Sequence, residues 1–324
     1  MAALTNTRRK RNTPWSRLGI AAALLGGGLL LGAVLLGLQW YSWSALARNL
    51  DYSKLSEMES ASLILDRNGE LLGRIFLQNR NQKPLAEISP LLQKALISSE
   101  DARFYDHSGV DPIGIASTLF RSIKAFKLTG GASTLSQQLA RNTFPQDLPQ
   151  KDKSLRRKIQ EMFVAKEVEK HLTKAQILEY YLNRVYFGSG FYGAEAASQG
   201  YFGKKCLELN AAESALLIGL LPLPEYRSPH VDLNKCVEAR NRVLARMREL
   251  SYLTESEYQA ALSEKPKLKS RFNRQESYAT NLVSTFMRNL VGGEESMSGG
   301  YRIFTTIDQA LQRKAEQALL AHLQ

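Results

Sequence analysis

Cysteine is scarce in this sequence, with only Cys206 and Cys236 among 324 residues. Two cysteines build no disulfide framework, and their spacing fits no metal site. An oxidising compartment could join them in one bridge, so their redox state stays open. Acidic residues are also few, because 31 Asp and Glu stand against 43 Lys and Arg, for a net charge of +12. Such a chain favours an anionic partner, whether nucleic acid, a membrane surface or a phosphate-bearing substrate.

Charge is absent altogether from residues 18–43, a stretch rich in Leu, Ala and Gly that ends in aromatic side chains. A helix that crosses a bilayer needs about 20 apolar residues, and Trp and Tyr often mark its interface. The preceding residues 1–17 carry basic side chains and no acidic one. The pattern therefore predicts a transmembrane anchor with a cytoplasmic N-terminal tail and the rest of the chain outside the cytosol.

A cleaved signal peptide is the alternative interpretation of this stretch, because Ala45-Leu46-Ala47 resembles a small-residue cleavage site. The apolar run is longer than the roughly 7 to 15 residues of a secretory signal, which favours a retained anchor. An extracytoplasmic body makes nucleic acid an unsuitable partner. The basic charge then points to lipid headgroups or a phosphorylated lipid.

The remaining chain divides into four segments by its local patterns. Residues 44–85 form a linker in which Asn68-Gly69 separates two apolar runs, a signal for a β-hairpin. Helical periodicity dominates residues 86–250, so we predict one mainly α domain there. Residues 251–300 connect it to residues 301–324, where a strand pattern precedes an amphipathic helix.

Several helix starts within these segments carry capping signatures. Ser89-Pro90 fits an N-cap followed by proline in the first turn, and residues 152–172 show a long helical pattern. Reciprocal capping boxes are predicted at Thr173 with Gln176, Asn210 with Glu213, and Thr254 with Glu257.

Three polar clusters interrupt the helical pattern, at residues 100–109, 130–142 and 156–161. Each alone is a weak signal, but their order behind an anchor resembles glycosyltransferase family 51, the peptidoglycan glycosyltransferases of class A penicillin-binding proteins and of monofunctional transglycosylases. The matching residues of the three motifs are Glu100, Asp101, Phe104, His107 and Gly109; Gly131, Ser133, Thr134, Gln137, Gln138 and Asn142; and Arg157, Lys158 and Glu161.

The resemblance covers about residues 60–250, including residues 172–204, 215–229 and 239–247. The sequence departs from the family pattern at Ser136, where the family often has Thr, and at Arg141, where it often has Lys. An arginine keeps the positive charge and adds a bidentate phosphate contact, so we expect function to be retained.

The resemblance implies a lysozyme-like helical domain that polymerises lipid II. The product would be a β-1,4-linked glycan strand, formed with inversion and with release of undecaprenyl pyrophosphate, and moenomycin would inhibit the reaction. Expected partners are lipid II, the growing glycan strand, membrane lipids and cell-wall synthesis proteins, with no nucleic acid. The expected location is the inner cell membrane, with a single span.

The chemistry of this reaction suits the residue types present. The acceptor hydroxyl needs a base, whereas a pyrophosphate leaves without a protonating acid. Glu100 at the end of an apolar helix is the predicted base, since desolvation raises a carboxyl pKa. Glu161 is predicted as the second catalytic carboxylate and is expected to line the same groove as Glu100. It shares a helix face with Arg157 and Lys158, and together with these cations and Arg141 it is predicted to stabilise the leaving diphosphate.

The other motif residues receive supporting roles. No cofactor is required, but a divalent cation, Mg²⁺ or Mn²⁺, could accompany the diphosphate, with Glu161 as its only candidate ligand. We expect Asp101 and His107 to orient the loop around Glu100. The further predicted substrate-binding residues are Phe104, Ser133, Thr134, Gln137, Gln138 and Asn142.

Residues 111–131 are apolar with interspersed basic side chains. This pattern suits a segment that touches the membrane where a lipid-tailed substrate enters. An ordinary core helix is the alternative interpretation, and the sequence does not choose between the two.

Two other functions remain open at this stage. A lytic transglycosylase or lysozyme-like hydrolase could share the fold, but its chemistry needs a protonated acid and has no use for a cation cluster beside a diphosphate. An inactive membrane-tethered scaffold is the second, and the intact Glu100 and Glu161 argue against it. The tail resembles the junction with a transpeptidase domain, whose Ser-x-x-Lys, Ser-x-Asn and Lys-Thr-Gly set is absent here, so both a truncated bifunctional enzyme and a monofunctional relative fit.

Overall fold

The computed structural model of the chain describes residues 14–56, 62–75, 82–125, 133–149, 152–189, 191–269, 282–283, 285–287, 290 and 301–323. Two compact units are distinguished, Met1–Leu50 and Asp51–Gln324. The second unit is mostly helical and carries one small sheet. The prediction of a mainly α fold with a small hairpin is therefore confirmed.

The described part of the first unit is one long helix, α1, over Pro14–Asn49. Its part Gly19–Asn49 is long and apolar enough to cross a membrane. At 1.5 Å per residue, α1 is about 54 Å long, whereas a hydrocarbon core is about 30 Å thick. The helix continues past the predicted end at residue 43, because the following residues include the good helix formers Ala, Leu and Arg.

Ten α-helices of the second unit have both ends within the described residues. Short 3₁₀ turns lie at Tyr52–Leu55, Leu85–Glu87 and Cys206–Glu208. The α-helices are α2 (Pro90–Glu100), α3 (Pro112–Lys124), α4 (Leu135–Thr143), α5 (Leu155–His171), α6 (Lys174–Arg184), α7 (Ala194–Tyr201), α8 (Ala211–Leu220), α9 (Leu233–Glu249), α10 (Glu255–Ser263) and α11 (Gln309–Leu323).

The starts of these helices follow the capping signatures. Ser89 caps α2 by accepting a hydrogen bond from the backbone N–H of Leu91, and Pro90 occupies the first turn. The three predicted capping boxes are all present, at the starts of α6, α8 and α10. Side-chain acceptors satisfy backbone donors that a helix start leaves unpaired, so these predictions are confirmed.

Helix α8 is the centre of the helical body, because every residue from Ala212 to Leu220 is buried. It packs against α2 and α9, while α4 packs against α5 and α6. Hydrogen bonds from α4 to Glu100 and Asp101 join the end of α2 to α4, and the packing of α4 on α5 brings one face of α5 to the same place. The three sequence motifs therefore lie on adjacent elements of the body.

The sheet joins segments from both ends of the second unit. Strands β1 (Ser62–Leu65) and β2 (Leu71–Ile75) form the predicted antiparallel hairpin, whose turn places Gly69 at φ +81°. Strand β3 (Arg302–Phe304) pairs in parallel with β1, giving the order β2-β1-β3. Sequence analysis predicted both the hairpin and the late strand but did not predict that they pair.

Both cysteines are buried and unbridged. The Cys206 thiol donates to the Glu87 carbonyl oxygen at 3.3 Å, and Cys236 lies on the buried face of α9. Burial raises the pKa of each thiol to about 12, which makes both unreactive near neutral pH.

Candidate active site

Glu100 is the last residue of α2, whose apolar face fixes it at the edge of the core. The Gln138 side-chain amide donates to Glu100 Oε2 at 2.8 Å. Burial raises the pKa of Glu100, although the Gln138 hydrogen bond and the charge of Arg141 act in the opposite direction. No described residue donates a hydrogen bond to the other oxygen, Oε1, so this oxygen is available to take a proton.

A buried tyrosine fixes the orientation of Gln138. The Tyr181 hydroxyl on α6 donates to Gln138 Oε1 at 2.8 Å, and this ring is almost fully buried. Because Oε1 of the amide accepts from Tyr181, its N–H₂ group faces Glu100. Tyr181 was missed by sequence analysis, since it sits in an apolar helical stretch that reads as ordinary core.

Glu161 lies on α5 and has no exposed surface. Arg157, one turn earlier on α5, forms a short ion pair with Oε1, and Lys158 Nζ lies 3.0 Å from Oε2. Arg141 from α4 approaches Oε1 at 3.5 Å. Burial lowers the pKa of Lys158, and the negative charge of Glu161 opposes this effect.

This burial corrects one part of the prediction. Sequence analysis assigned Glu161 to the substrate groove as a second catalytic carboxylate and as the only candidate metal ligand. In the structure it lies beneath Arg141, Arg157 and Lys158 and reaches no surface, so it is a positioning residue for these cations. A buried carboxylate is stable only when cations and hydrogen bonds replace its water, which accounts for the three partners.

The two carboxylates are linked through Arg141 and Ser133. Arg141 pairs with Glu161, and its charge also acts on Glu100. Lys158 donates to Ser133 Oγ at 2.6 Å and to Gln137 Oε1 at 2.9 Å. Ser133 also lines a cavity of about 660 Å³ that has Glu100 on its wall. Ser133 therefore lies between the cavity beside Glu100 and Lys158, one of the three cations around Glu161.

Asp101 and His107 tie the first motif to α4. Asp101 Oδ2 accepts from the Leu135 backbone N–H at 2.9 Å, and His107 Nε2 lies 3.0 Å from both Asp101 oxygens. Thr134 Oγ1 donates to the Gly109 carbonyl oxygen at 2.7 Å. These bonds hold the start of α4 against the loop that follows Glu100.

Gly109 allows this loop to approach α5 closely. Its φ is +85°, and a Cβ atom built there would lie 2.6 Å from the Ala165 carbonyl oxygen. A side chain at this position would both strain the backbone and collide with α5. The glycine is therefore required by the close contact between the first and third motifs.

Phe104 is a core residue, which corrects its assignment to substrate binding. Its ring is fully buried, and Lys174 Nζ lies 4.5 Å from the ring centroid. Gln137 is also fully buried, where it completes the capping box of α4 and contacts Lys158. Neither side chain presents surface to a substrate. Asn142 is partly buried on α4, and Gly131 lies outside the described residues.

Several cations of the site were missed by sequence analysis. Arg103, Arg121 and Arg246 line the cavity beside Glu100. Arg227 is a fourth basic residue near Glu100. Burial raises the pKa of Glu100, and the charge of Arg227 acts in the opposite direction. These arginines come from α3, α9 and two loops, and only the tertiary fold brings them to one place.

No group of three or more His, Cys, Asp or Glu side chains in the described part of the chain is arranged to hold a metal ion. The oxygens of Glu161 face three basic side chains, which repel a cation. A divalent cation therefore lacks a protein-built site among these residues.

Comparison with known proteins identifies the family. A family model described as Transglycosylase matches residues 68–248, which include all three motifs. Penicillin-binding protein 1A of Haemophilus influenzae is 39% identical over 272 residues, covering 83% of this chain and 31% of the relative. Penicillin-binding protein 1A of Escherichia coli is 37% identical over 261 residues, covering 79% of this chain and 30% of the relative.

A crystal structure of penicillin-binding protein 1A from Haemophilus influenzae is 25% identical to this chain, covers 81% of it and 29% of the other chain, and has a TM-score of 0.46. The chain spans about a third of the length of the curated relatives that it matches. The family match extends over more than half of the chain, and these relatives are well above 30% identical. The chain therefore belongs to the transglycosylase family, and it carries a glycosyltransferase family 51 domain of the class A penicillin-binding protein type.

Proposed function

We propose that this chain polymerises lipid II into β-1,4-linked glycan strands and releases undecaprenyl pyrophosphate. The observation that carries the proposal is the pairing of one buried carboxylate, Glu100, with a separate cluster of three cations that Glu161 holds in place. The first can take a proton, and the second can stabilise a departing diphosphate. Penicillin-binding protein relatives support the same activity.

In the proposed reaction Glu100 acts on the acceptor sugar. Its free oxygen takes the proton from the acceptor hydroxyl while that hydroxyl oxygen attacks the anomeric carbon of the donor. The bond from this carbon to the diphosphate oxygen breaks, and the electron pair leaves with the diphosphate. Attack opposite the leaving group inverts the anomeric configuration. The raised pKa of Glu100, caused first by burial, makes its carboxylate a stronger base.

The leaving diphosphate is assigned to Arg141, Arg157 and Lys158. These side chains are held by Glu161, by each other's packing and by the hydroxyl of Ser133, so they are oriented before the substrate binds. Preorganised cations stabilise developing negative charge without a cost of rearrangement. A divalent cation would bind through the diphosphate oxygens, since Glu161 is already surrounded by basic groups.

Membrane contact is assigned to α1 and α3. Among the described side chains of α3 none is buried, and Ile113, Phe120 and Ile123 are each more than 60% exposed. This exposure of α3 supports the membrane-contact interpretation over that of an ordinary core helix, and residues 126–131 of the segment lie outside the described residues. We place α3 against membrane lipid near the tail of the substrate, with the N-terminus of α1 in the cytosol and the catalytic body outside. Cell-wall synthesis proteins remain expected partners.

A hydrolase that cuts glycan strands is the second candidate, because a raised carboxyl pKa also suits a general acid. The cation cluster favours the polymerase, since hydrolysis of a sugar–sugar bond releases no diphosphate. The test is incubation of the purified protein with lipid II and, separately, with preformed glycan strands. We expect polymer and undecaprenyl pyrophosphate from the first, and no cleavage of the second.

The matched variant for this test is Glu100→Gln, which keeps the size and removes the basic oxygen. We expect more than about a hundredfold loss of polymer with unchanged folding, as for loss of a general base. Polymer formation at the wild-type rate by this variant would refute the assigned base. Cleaved strands without lipid II turnover would instead identify the hydrolase.

A further inference from the structure

The cavity beside Glu100 has one wall that lies apart from Arg141, Arg157 and Lys158. This wall is the polar face of α3 together with the last turn of α9. Residues three or four positions apart on a helix share a face. The polar residues that line the cavity from α3 and its N-cap follow this spacing, and they are Asp111, Gly114, Ser117, Thr118 and Arg121.

The opposite face of α3 is apolar and exposed. Leu119 and Ile123 lie on it, and both are exposed. Ile113 and Phe120 stand at its border with the polar face, and Phe120 also lines the cavity. One helix thus separates a polar cavity from an apolar outer surface. A ligand with a charged head and an apolar tail fits this border, with its tail leaving past Phe120.

Three arginines line the cavity, and they differ in their partners. Arg103 is bound to Asp111 at 2.6 Å, so its charge is already neutralised. Arg121 contacts the Thr118 hydroxyl at 3.2 Å and forms no ion pair with a described carboxylate. Arg246 pairs with Glu249 at 2.5 Å, but both side chains are about half exposed. Exposed pairs of this kind are weak and can be exchanged for a stronger anion.

We propose that Arg121 and Arg246 bind the diphosphate of the acceptor substrate, which is distinct from the leaving diphosphate held above Glu161. This inference rests on the proposed function. The reaction consumes two lipid diphosphates but expels only one of them, so the acceptor keeps its own. Glu100 is on the cavity wall and must reach the acceptor hydroxyl, so the acceptor lies in this cavity.

The size and lining of the cavity agree with such a ligand. Its volume of about 660 Å³ is within the usual range of roughly 300 to 1,000 Å³ for small-molecule sites. Besides the arginines, the hydroxyls of Ser98, Ser99 and Ser117 line it and can bond to sugar hydroxyls. Arginine forms paired hydrogen bonds with phosphate oxygens, which lysine does not.

The test separates the two substrates chemically. A lipid-linked disaccharide with a methylated acceptor hydroxyl can only donate, and one with a methylene group in place of the anomeric oxygen can only accept. With saturating donor, we expect Arg121→Gln and Arg246→Gln each to raise the acceptor KM about five- to tenfold, as for loss of a charge-assisted hydrogen bond. The donor KM should change less than about twofold, because neither arginine contacts the donor in this proposal.

Neighbouring residues supply matched controls. Arg248→Gln removes an arginine from the same helix that also pairs with an exposed glutamate, Glu255, but does not line the cavity. Lys124→Gln removes a basic residue of α3 that does not line the cavity. Both controls should keep the wild-type acceptor KM. A third acceptor, the methyl glycoside that lacks any diphosphate, should show the same KM with wild type and with Arg246→Gln.

Three results would decide against this assignment. If the acceptor KM of both variants equals that of the controls in an active enzyme, the inference is overturned and the proposed function stands. If the donor KM rises instead, these arginines bind the leaving diphosphate and the inference is wrong. If the wild-type protein forms no product from the paired substrates, the proposed function fails and this inference fails with it. Thermal unfolding midpoints equal to wild type exclude misfolding as the cause of any change.

Discussion

Glu100 and Glu161 are both glutamates, but their carboxylate oxygens contact different kinds of side chain. Glu100 accepts one hydrogen bond from a neutral amide and is otherwise set in a poorly hydrated position. Glu161 is surrounded by two guanidinium groups and one ammonium group. The first arrangement raises the affinity for a proton, whereas the second organises positive charge for a phosphate.

Tyr181 offers a test of how Glu100 is tuned. In Tyr181→Phe the Gln138 amide loses the partner that fixes its orientation, so its hydrogen bond to Glu100 weakens. That bond lowers the pKa of Glu100 against burial, so the pKa should rise further. Because the base works only when deprotonated, the acidic limb of the pH–rate profile should move to higher pH. We expect an activity about three- to tenfold lower on that limb.

Tyr201→Phe is the matched control for this change. Tyr201 is equally buried, and its hydroxyl donates to the Phe187 carbonyl oxygen at 3.0 Å. Tyr181→Phe should lose about 1 to 2 kcal/mol of unfolding free energy for one buried hydrogen bond. Tyr201→Phe should lose at least as much, because the Tyr201 hydroxyl also interacts with Ser189 and Ser228. Only Tyr181→Phe should shift the pH profile. Equal profiles for the two variants would show that Tyr181 contributes to stability alone.

At the scale of elements, the close contact between the loop after α2 and helix α5 shapes the site. It depends on Gly109, whose absent side chain leaves room for the backbone of α5. The same loop is bonded to the start of α4 through Thr134. One glycine therefore sets the spacing among three elements that carry the motifs.

Gly109→Ala tests this spacing, with Gly69→Ala as its control. Both glycines have a positive φ, +85° and +81°, but a Cβ atom at Gly69 would meet nothing within 4 Å. The Gly69 variant should lose about 1 kcal/mol from backbone conformation, and the Gly109 variant about 2 to 4 kcal/mol because of the added collision. Denaturant unfolding measures both. Polymerisation should fall with Gly109→Ala only, and equal losses of stability would contradict the collision.

At the scale of the whole molecule, a basic chain with an apolar α1 and an exposed apolar face on α3 fits a lipid surface. The polar cavity and the apolar face lie on opposite sides of the same helix. A lipid-tailed substrate can therefore keep its tail in lipid while its sugars enter the cavity. The positive net charge adds attraction for anionic headgroups and for diphosphate.

The variant pair Phe120→Ser and Ile123→Ser, combined in one protein, tests this arrangement. It should raise the KM for lipid II with a full-length tail about three- to tenfold, since apolar burial of the tail is lost. The KM for an analogue with a short, water-soluble tail should not change. Val231→Ser is the control, because Val231 is an equally exposed apolar residue outside α3. A rise in KM for both tails would place these residues at the sugars instead.

Sequence patterns predicted those features that depend on neighbours along the chain. Capping boxes, the Asn68-Gly69 turn and the spacing of Arg157, Lys158 and Glu161 all involve residues within four positions of one another. The family resemblance added the order of the motifs. Helix starts and the main cation cluster were therefore found without coordinates.

Features that depend on packing between distant segments were not predicted. The complete burial of Glu161 depends on how the helices pack, and it is not expected from the residue type, because an unpaired glutamate is almost never fully buried. Arg121 and Arg246 meet at one cavity only because α3 and α9 converge there. Local sequence patterns do not predict such a contact, because the two arginines are more than a hundred positions apart in the chain.

The pairing of β1 with β3 has a consequence for the order of folding. Thr305 bonds to the Leu65 carbonyl oxygen across 240 positions of the chain, so this contact closes a very long loop. Closing such a loop is entropically unfavourable and slow compared with forming neighbouring helices. We therefore expect β3 to pair with β1 after the helices of the second unit have associated. The sheet would then be the last part of this unit to form.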